Sequence, residues 1–257
     1  MYKSHLKRII YNPLKVLVIV MMIAFPVMEV FQLVYQLKDF ELTGSIYKLF
    51  FLSGASRGHL FQIIYLWILP LYLLFVVSDD SCTDEKSGYK YILLSKLGRK
   101  KYLIEKWKTS FGISFFIMFI SLILNMILVY IIFANRCSDV YLLQEMMGVN
   151  ETLKSIFINY PLLSYFVYVI IASVISGLVG ILGSVISTTF RERKYVYAIT
   201  FLLWLIFIVK EESIMLVFQP YIEFPISMLL KIFGAFLLVC ITFLVGAMIY
   251  EKKRVCE

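Results

Sequence analysis

Residues 79–108 read DDSCTDEKSGYKYILLSKLGRKKYLIEKWK, and this stretch sets the topology expected for the whole chain. Eight of its residues are Lys or Arg and five are Asp or Glu, although 61% of the chain is hydrophobic. The segments on either side of it are among the most apolar in the sequence. Dense charge between two apolar segments predicts a hydrated loop that joins two membrane-spanning helices.

The composition is typical of a chain that uses lipid as its solvent. Mean hydropathy is +0.86 and only 16% of residues are charged, whereas about a quarter are charged in soluble domains. A spanning helix needs roughly 20 mostly apolar residues. We therefore predict an all-α integral membrane protein that forms one domain over residues 1–257 with six transmembrane helices. The expected spans are about 14–35, 59–78, 110–133, 162–189, 196–210 and 226–250.

The basic residues orient these spans. With the N-terminus in the cytoplasm, the internal segments are 1–15, 79–109, 190–195 and 251–257, and they carry 18 of the 25 Lys and Arg residues. The positive-inside rule therefore predicts that both termini and the loop 79–109 are cytoplasmic. The net charge of +8 is then explained by topology and anionic lipid, so no nucleic-acid partner is expected.

The N-terminal segment 2–12 is expected to form an amphipathic helix on the membrane surface. Asn12 and Pro13 then break the helix, because the residue before a proline avoids the α region. Alternatively, these residues are the start of one long first helix. The apolar face of this helix would consist of Tyr2, Leu6, Ile9 and Ile10.

The segment 213–225, SIMLVFQPYIEFP, lies before the last span and is too short to cross a membrane. Pro220 and Pro225 interrupt it, so we expect an outer re-entrant or interfacial hairpin. Such irregular backbone is tolerated at membrane depth only where protein or water covers it. The outer loop 134–161 is longer, with a possible surface helix near 139–157.

Two charged residues lie within the predicted spans. Glu29 lies in the first span and Lys231 in the last, at similar expected depths, so they are a candidate buried polar pair. The alternative is that both side chains extend to the outer headgroups.

A stripe of small residues in the fourth span predicts close helix packing, within the chain or between two copies. Its members are Ala172, Ser176, Gly180 and Ser184.

Motifs for chemistry are missing from the sequence. There is no GxxxxGK[ST], HExxH, GxSxG or CxxC, so we expect the chain not to be an enzyme and to hold no P-loop nucleotide site. One acidic cluster is either a magnesium site of the prenyltransferase kind or a hydrated helix end, and we expect no metal there. The cluster consists of Asp79, Asp80, Asp84 and Glu85.

The stretch from Glu85 to Lys106 resembles the loop after the second span in permease subunits of type-2 ATP-binding-cassette exporters. That family has an acidic residue, a glycine three positions later, a leucine pair, a basic residue and a closing lysine. The usual proline after the leucine pair is missing here, and Lys96-Leu97-Gly98 takes its place. The matching residues are Glu85, Gly88, Leu93 with Leu94, Arg99 and Lys106.

This resemblance implies a short cytoplasmic coupling helix that docks in a cleft of a separate ATPase. In residues 89–97 a docking stripe is then expected on one helix face, with Ser87 as a candidate N-cap. A lipid-facing amphipathic loop is the alternative. The stripe would consist of Tyr89, Ile92, Leu93 and Leu97.

The resemblance also implies partners and a location. It points to two copies of a cytoplasmic ATP-binding-cassette ATPase, which would bind ATP and Mg²⁺, and to a second permease copy or paralogue. The chain itself would bind no cofactor. Small permeases of this kind resemble exporters of amphipathic peptides, including lantibiotic-immunity pumps of the bacterial plasma membrane. The alternative function is a non-transport membrane scaffold or sensor with a lipid-binding basic loop.

Overall fold

The computed structural model describes residues 2–36, 46–53, 60–133, 159–190, 192–220 and 224–253. Within these ranges all regular structure is helical, so the predicted all-α class is confirmed. Two 3₁₀ turns, Ile46–Leu49 and Phe51–Ser53, follow the second helix. The helices are α1 Tyr2–Ile10, α2 Pro13–Gln36, α3 Leu60–Trp67, α4 Leu69–Leu73 with a π-helical turn Leu74–Ser78, α5 Asp79–Lys86, α6 Tyr89–Leu97, α7 Arg99–Phe133, α8 Pro161–Thr189, α9 Arg193–Val209, α10 Met215–Phe218 and α11 Ile226–Lys253.

Four of these helices, α2, α7, α8 and α11, are long and apolar enough to cross a membrane. A fifth span is formed if Leu60–Trp67 and Leu69–Ser78 count together, because they are bent by 54° at a short break. Helix α9 has 17 residues, at the lower end of the length that a span needs. A helical membrane-embedded chain is therefore supported, and the sixth span stays a prediction.

Helix α8 lies at the centre of the bundle and packs against α7, α9 and α11. All four residues of its small-residue stripe are buried. A Cβ atom at Gly180 would overlap the side chain of Ser114 on α7, and the Ser176 hydroxyl donates to the Ser114 carbonyl at 3.1 Å. The stripe thus serves contacts inside the chain, where small residues let two helices approach closely.

Pro26 inside α2 and Pro70 in the first turn of α4 each leave a carbonyl group that another helix satisfies. Pro26 has no N–H for the Met22 carbonyl, and the Ser121 hydroxyl donates to that carbonyl at 2.8 Å. Pro70 likewise has no N–H for the Leu66 carbonyl, which accepts a hydrogen bond from the Trp204 indole N–H at 3.0 Å. Side-chain donors of this kind make proline tolerable in apolar surroundings.

Asn125 on α7 forms a second polar link to α2. Its amide nitrogen donates to the Pro26 carbonyl at 2.8 Å, and its amide oxygen accepts from the Phe51 N–H at 3.0 Å. This one buried side chain therefore joins α7, α2 and the 3₁₀ turn that contains Phe51. Both hydrogen bonds lie within the apolar core, where an unmet donor or acceptor costs free energy.

Asn125→Leu should destabilise the protein by about 1–3 kcal/mol, because the Phe51 N–H loses its buried acceptor. Ser121→Ala removes one hydrogen bond and should cost less, about 1 kcal/mol. Thermal melting in detergent, followed by size-exclusion fluorescence, measures both. An Asn125→Leu variant that melts with the wild type would show that this link does not hold the helices together.

The segment before the last helix turns back into the bundle. The Ile214 N–H donates to the Phe207 carbonyl at 2.9 Å, and the fully buried Phe218 meets the Trp204 ring edge-on with centroids 6.3 Å apart. Protein thus covers residues 213–220 of the predicted hairpin to a large extent, as irregular backbone at membrane depth requires, whereas Phe224 and Pro225 are exposed. The predicted surface helix near 139–157 lies outside the described residues.

Candidate functional site

The charged stretch lies at one end of the bundle, where α1, α5 and α6 meet the first turns of α2 and α7 and the last turns of α8 and α11. We call this the charged end. Asn12 and Pro13 separate α1 from α2 as expected, and α1 contacts α2 and α7 through its buried face, which contains His5 and Ile9. Ile10, which was predicted on the apolar face, has a side chain that is 64% exposed, whereas Ile9 is buried against the bundle.

Two glycines delimit α6. Gly88 at its N-cap has φ 73° and Gly98 at its C-cap has φ 75°. Both values lie in the left-handed region, which only glycine adopts without strain. The prediction that Ser87 is the N-cap of α6 is wrong. Ser87 is the C-cap of α5, and the N-cap of α6 is Gly88, without a side-chain hydrogen bond. The chain thus turns sharply on either side of a nine-residue helix.

Helix α5 is held to the N-terminal segment by two ion pairs. Arg8 on α1 donates two hydrogen bonds to the Asp84 carboxylate, at 2.9 and 2.7 Å. Lys15, at the start of α2, pairs with Asp80 at 2.8 Å. Bidentate arginine–carboxylate contacts are among the stronger charge-assisted hydrogen bonds. Asp84 is buried, so the acidic cluster is not a hydrated helix end there.

Lys90 fastens α6 to the last turns of α8 and α11. Its ammonium group lies 3.3 Å from Glu85 on α5 and 3.3 Å from Glu251 on α11, and it also donates to the Thr188 carbonyl at 3.4 Å. Arg99 pairs with Glu251 at 3.6 Å. Lys90 and both carboxylates are almost fully buried, so each charge depends on its partners.

Lys106 closes the network from α7. Its ammonium group donates to the Ser81 hydroxyl, and the Ser187 hydroxyl donates to the same oxygen at 3.0 Å. Lys106 and both serines are buried. The closing lysine of the sequence pattern therefore lies inside the protein, where it joins α5, α7 and α8.

His5 lies among these charges and stays neutral near pH 7. Its pKa is lowered from 6.5 to about 4, chiefly because the imidazole is buried and next because the Lys106 ammonium lies nearby. Arg8 acts in the same direction, whereas Asp80 and Asp84 act in the opposite one. Desolvation disfavours the charged form of a histidine, so protonation of His5 opposes folding of the charged end.

Stability should fall as the solution is acidified toward pH 4. Since the folded-state pKa of His5 lies below 6.5, its contribution is complete above pH 6.5 and is lost as the pH drops toward 4. Between about pH 7.5 and pH 5.5 the expected loss is about 1 kcal/mol. Melting curves of wild type and His5→Gln test this, and equal slopes against pH would contradict it.

The predicted docking stripe is wrong in part. Tyr89 and Ile92 are exposed, whereas Leu93 and Leu97 are half-buried. Leu93 and Leu94 pack against a small apolar cluster, with members from α7, α8 and α11. The exposed apolar face of α6 therefore consists of Tyr89, Tyr91 and Ile92. The cluster contains Tyr102, Leu103, Trp107, Val185 and Ala247.

A groove of about 560 Å³ runs beside this exposed face. It separates α5 and α6 from the start of α9, and both signs of charge line it. Together with the exposed face of α6 it forms a mixed apolar and charged surface, the composition of many protein contact sites. Its walls consist of Glu85, Lys86, Tyr91, Glu192, Arg193 and Lys194.

The structure does not bring Glu29 and Lys231 together. Lys231 pairs with Glu212 at 3.3 Å, and its side chain is 72% exposed. Glu29 is buried within the bundle. The hypothesis of a pair between them is therefore wrong, and Lys231 lies on the surface of α11.

The sequence pattern found Glu85, Arg99 and Lys106 but missed most of their partners. Lys90 and Glu251 were not expected to be buried ion-pair residues, and neither were the pairs of Asp84 with Arg8 and of the half-buried Asp80 with Lys15. A signal was present, since acidic residues at 79–85 face a basic segment at 3–15 and α11 ends in a single acid among lysines. Only the fold shows which of these charges meet.

Over 253 residues the chain is 38% identical to a protein of Bacillus subtilis (strain 168) described as "Uncharacterized protein YybM", and the match covers 98% of each chain. No family model matches the sequence, and no solved structure matches it. The alignment spans the charged end as well as the apolar helices, because it covers nearly the whole chain.

Proposed function

This chain belongs to the family of the Bacillus subtilis protein YybM, and we propose that it is the membrane-spanning subunit of an ATP-driven exporter of the type-2 ATP-binding-cassette class. Helix α6 acts as the coupling helix, and a separate ATPase subunit, present in two copies, binds ATP and Mg²⁺. A second copy of the chain or a paralogue completes the permease. The complex lies in the bacterial plasma membrane, with both termini in the cytoplasm.

The construction of α6 is the observation that carries this proposal. On its inner side, the Lys90 ammonium group donates hydrogen bonds to α5, α8 and α11. On its outer side, Tyr91 and Ile92 are exposed. A helix held this firmly moves with the helices that it contacts. Exposed aromatic and aliphatic side chains on a short rigid helix are suited to insertion into a partner's groove.

The burial of lysines argues against a loop that merely attracts lipid. A loop that binds anionic headgroups keeps its basic side chains in contact with solvent and lipid. Lys90 and Lys106 instead lie inside the protein with acidic or hydroxyl partners. Two of the eight basic residues of the charged stretch therefore anchor α5 and α6 to the bundle, which favours a coupling element over a lipid-binding scaffold.

An amphipathic peptide is the proposed cargo. A groove of about 610 Å³ opens at the opposite end of the bundle, between α8, α10 and α11, and its walls are almost entirely apolar. Such walls suit the apolar side of a membrane-partitioned peptide and offer few partners to a hydrophilic ion. The groove is lined by residues such as Val167, Ile171, Val217, Leu229, Leu230 and Phe233.

A pull-down from the native host tests the proposed function. The tagged chain is extracted in mild detergent, and ATP hydrolysis is assayed on the eluate with and without amphipathic helical peptides. We expect a co-purifying P-loop protein whose hydrolysis is stimulated by these peptides more than by hydrophilic controls. A chain that purifies in several detergents without a nucleotide-binding partner would contradict the exporter and favour the scaffold.

A further inference from the structure

Near its middle, helix α11 makes buried aromatic contacts with α9. Phe236 and Cys240 are each only 2% exposed. The Phe236 ring meets Trp204 edge-on with centroids 5.9 Å apart and Phe207 with centroids 5.3 Å apart, both on α9. Aromatic contacts of this geometry add to the packing energy, so they restrain α11 at this point.

Open space lies between α8 and α11 on either side of that point. The groove of about 610 Å³ separates their ends far from the charged end, where Leu229 and Phe233 form one wall. A second groove, of about 320 Å³, separates them near the charged end and is lined on α11 by Gly246 and Tyr250. The two helices therefore have room to approach each other at either end of α11.

The charged end of α11 is attached to α6. Glu251 pairs with Lys90 of α6 at 3.3 Å and with Arg99, at the start of α7, at 3.6 Å. Between apolar helices in lipid the hydrophobic effect supplies little attraction, so packing and polar contacts decide how the helices are placed. Beside the groove, Ala247 packs in the small apolar cluster with Val185 of α8, so this apolar contact and the ion pairs of Glu251 together position this end of α11.

We propose that α11 rocks about Phe236 as a lever that links α6 to the distant apolar groove, with Glu251 as the positioning residue of the attachment. At 1.5 Å per residue, Glu251 lies about 22 Å from Phe236 along the helix and Ile226 about 15 Å on the other side. Movement of α6 displaces one end of α11, and the far groove widens or narrows at the other. This goes beyond the proposed function and requires no ATPase, because it concerns the chain alone.

The test is a distance between spin labels on the isolated chain in nanodiscs. Labels at Tyr35→Cys on α2 and Ser227→Cys on α11, both exposed positions far from the charged end, report the placement of that end of α11. The background has its native cysteines replaced by alanine. Glu251→Gln and Glu85→Gln each remove one carboxylate from Lys90, but only Glu251 connects Lys90 to α11.

We expect Glu251→Gln to shift or broaden the distance distribution, whereas Glu85→Gln leaves it unchanged. If Glu251→Gln fails to fold, Arg99→Gln replaces it with the same expected direction, because it removes the more exposed partner of Glu251. Equal distributions for the Glu251→Gln and Glu85→Gln variants would overturn the lever.

Substitutions at two glycines of α11 supply a second, independent pair of test variants. A Cβ atom would meet nothing within 4 Å at either Gly246 or Gly234, but only Gly246 lines the groove near the charged end. Gly246→Phe should fill that groove and change the distance distribution, and Gly234→Phe should not. Indistinguishable effects of the two substitutions would also overturn the proposal.

Discussion

Lys90→Met should unfold the charged end at a lower temperature than any other single substitution considered for it. Methionine keeps the length of the side chain but leaves Glu85 and Glu251 without their shared cation in a buried site. Removing one partner of a buried ion pair typically costs about 3–5 kcal/mol, because the remaining charge is desolvated and uncompensated. Arg99 still faces Glu251, so Glu251 keeps one of its two cations.

Lys96→Met is the matched control. Lys96 belongs to the same helix and is exposed, and exposed lysines contribute little to stability. Thermal melting of the three proteins in the same detergent gives the comparison. If the Lys90→Met and Lys96→Met variants have the same melting temperature, the buried charges do not anchor α6, and the account of the charged end is wrong.

The second large effect concerns binding by the exposed face of α6. Tyr91→Asp combined with Ile92→Asp should weaken association with the proposed ATPase at least tenfold, or about 1.4 kcal/mol, since aromatic anchors carry much of an interface's energy. Both side chains are more than half exposed, so the fold should survive. The measurement is co-purification of the ATPase, with the melting temperature recorded in parallel.

Tyr195→Asp serves as its control. Tyr195 is an exposed tyrosine at the same end of the bundle, on the first turn of α9, and it does not line the groove beside α6. Association should stay as in the wild type. Equal loss of the ATPase in both variants would mean that general charge at this end, and not the face of α6, governs binding.

Leu93→Asp with Leu94→Asp gives a less specific test, although the leucine pair is the more conspicuous sequence feature. Both side chains pack against the small cluster that includes Tyr102 and Trp107. Placing carboxylates there costs folding energy because they would be partly desolvated. Loss of the ATPase in this variant would therefore not separate a damaged contact from a damaged fold.

The helices themselves were largely predictable from the sequence. Long apolar runs predict α2, α7, α8 and α11 because only a helix satisfies its own backbone in lipid. Pro13 marked the break after α1 for a local steric reason. The bend between α3 and α4 was not predicted, because the apolar run 59–78 is continuous even though Pro70 interrupts the helical hydrogen bonding.

The orientation of α6 is the feature that could least be predicted from the sequence. A helical wheel of residues 89–97 identifies apolar positions but not which side of the helix meets the rest of the chain. Lys90 decides this, because its partners Glu85 and Glu251 come from opposite ends of the sequence, 5 and 161 residues away. Contacts at such separation follow from the packing of whole helices, and no local pattern contains them.

Site-specific photo-crosslinking from Ile92 tests the central claim most directly. A photoreactive phenylalanine analogue replaces Ile92, whose side chain is exposed, and intact cells of the native host are irradiated before solubilisation. The account predicts a crosslinked product that contains a P-loop ATPase, and its yield should fall when the same analogue replaces Tyr195. Crosslinks from Ile92 to lipid alone would contradict the assignment of α6 as a coupling helix.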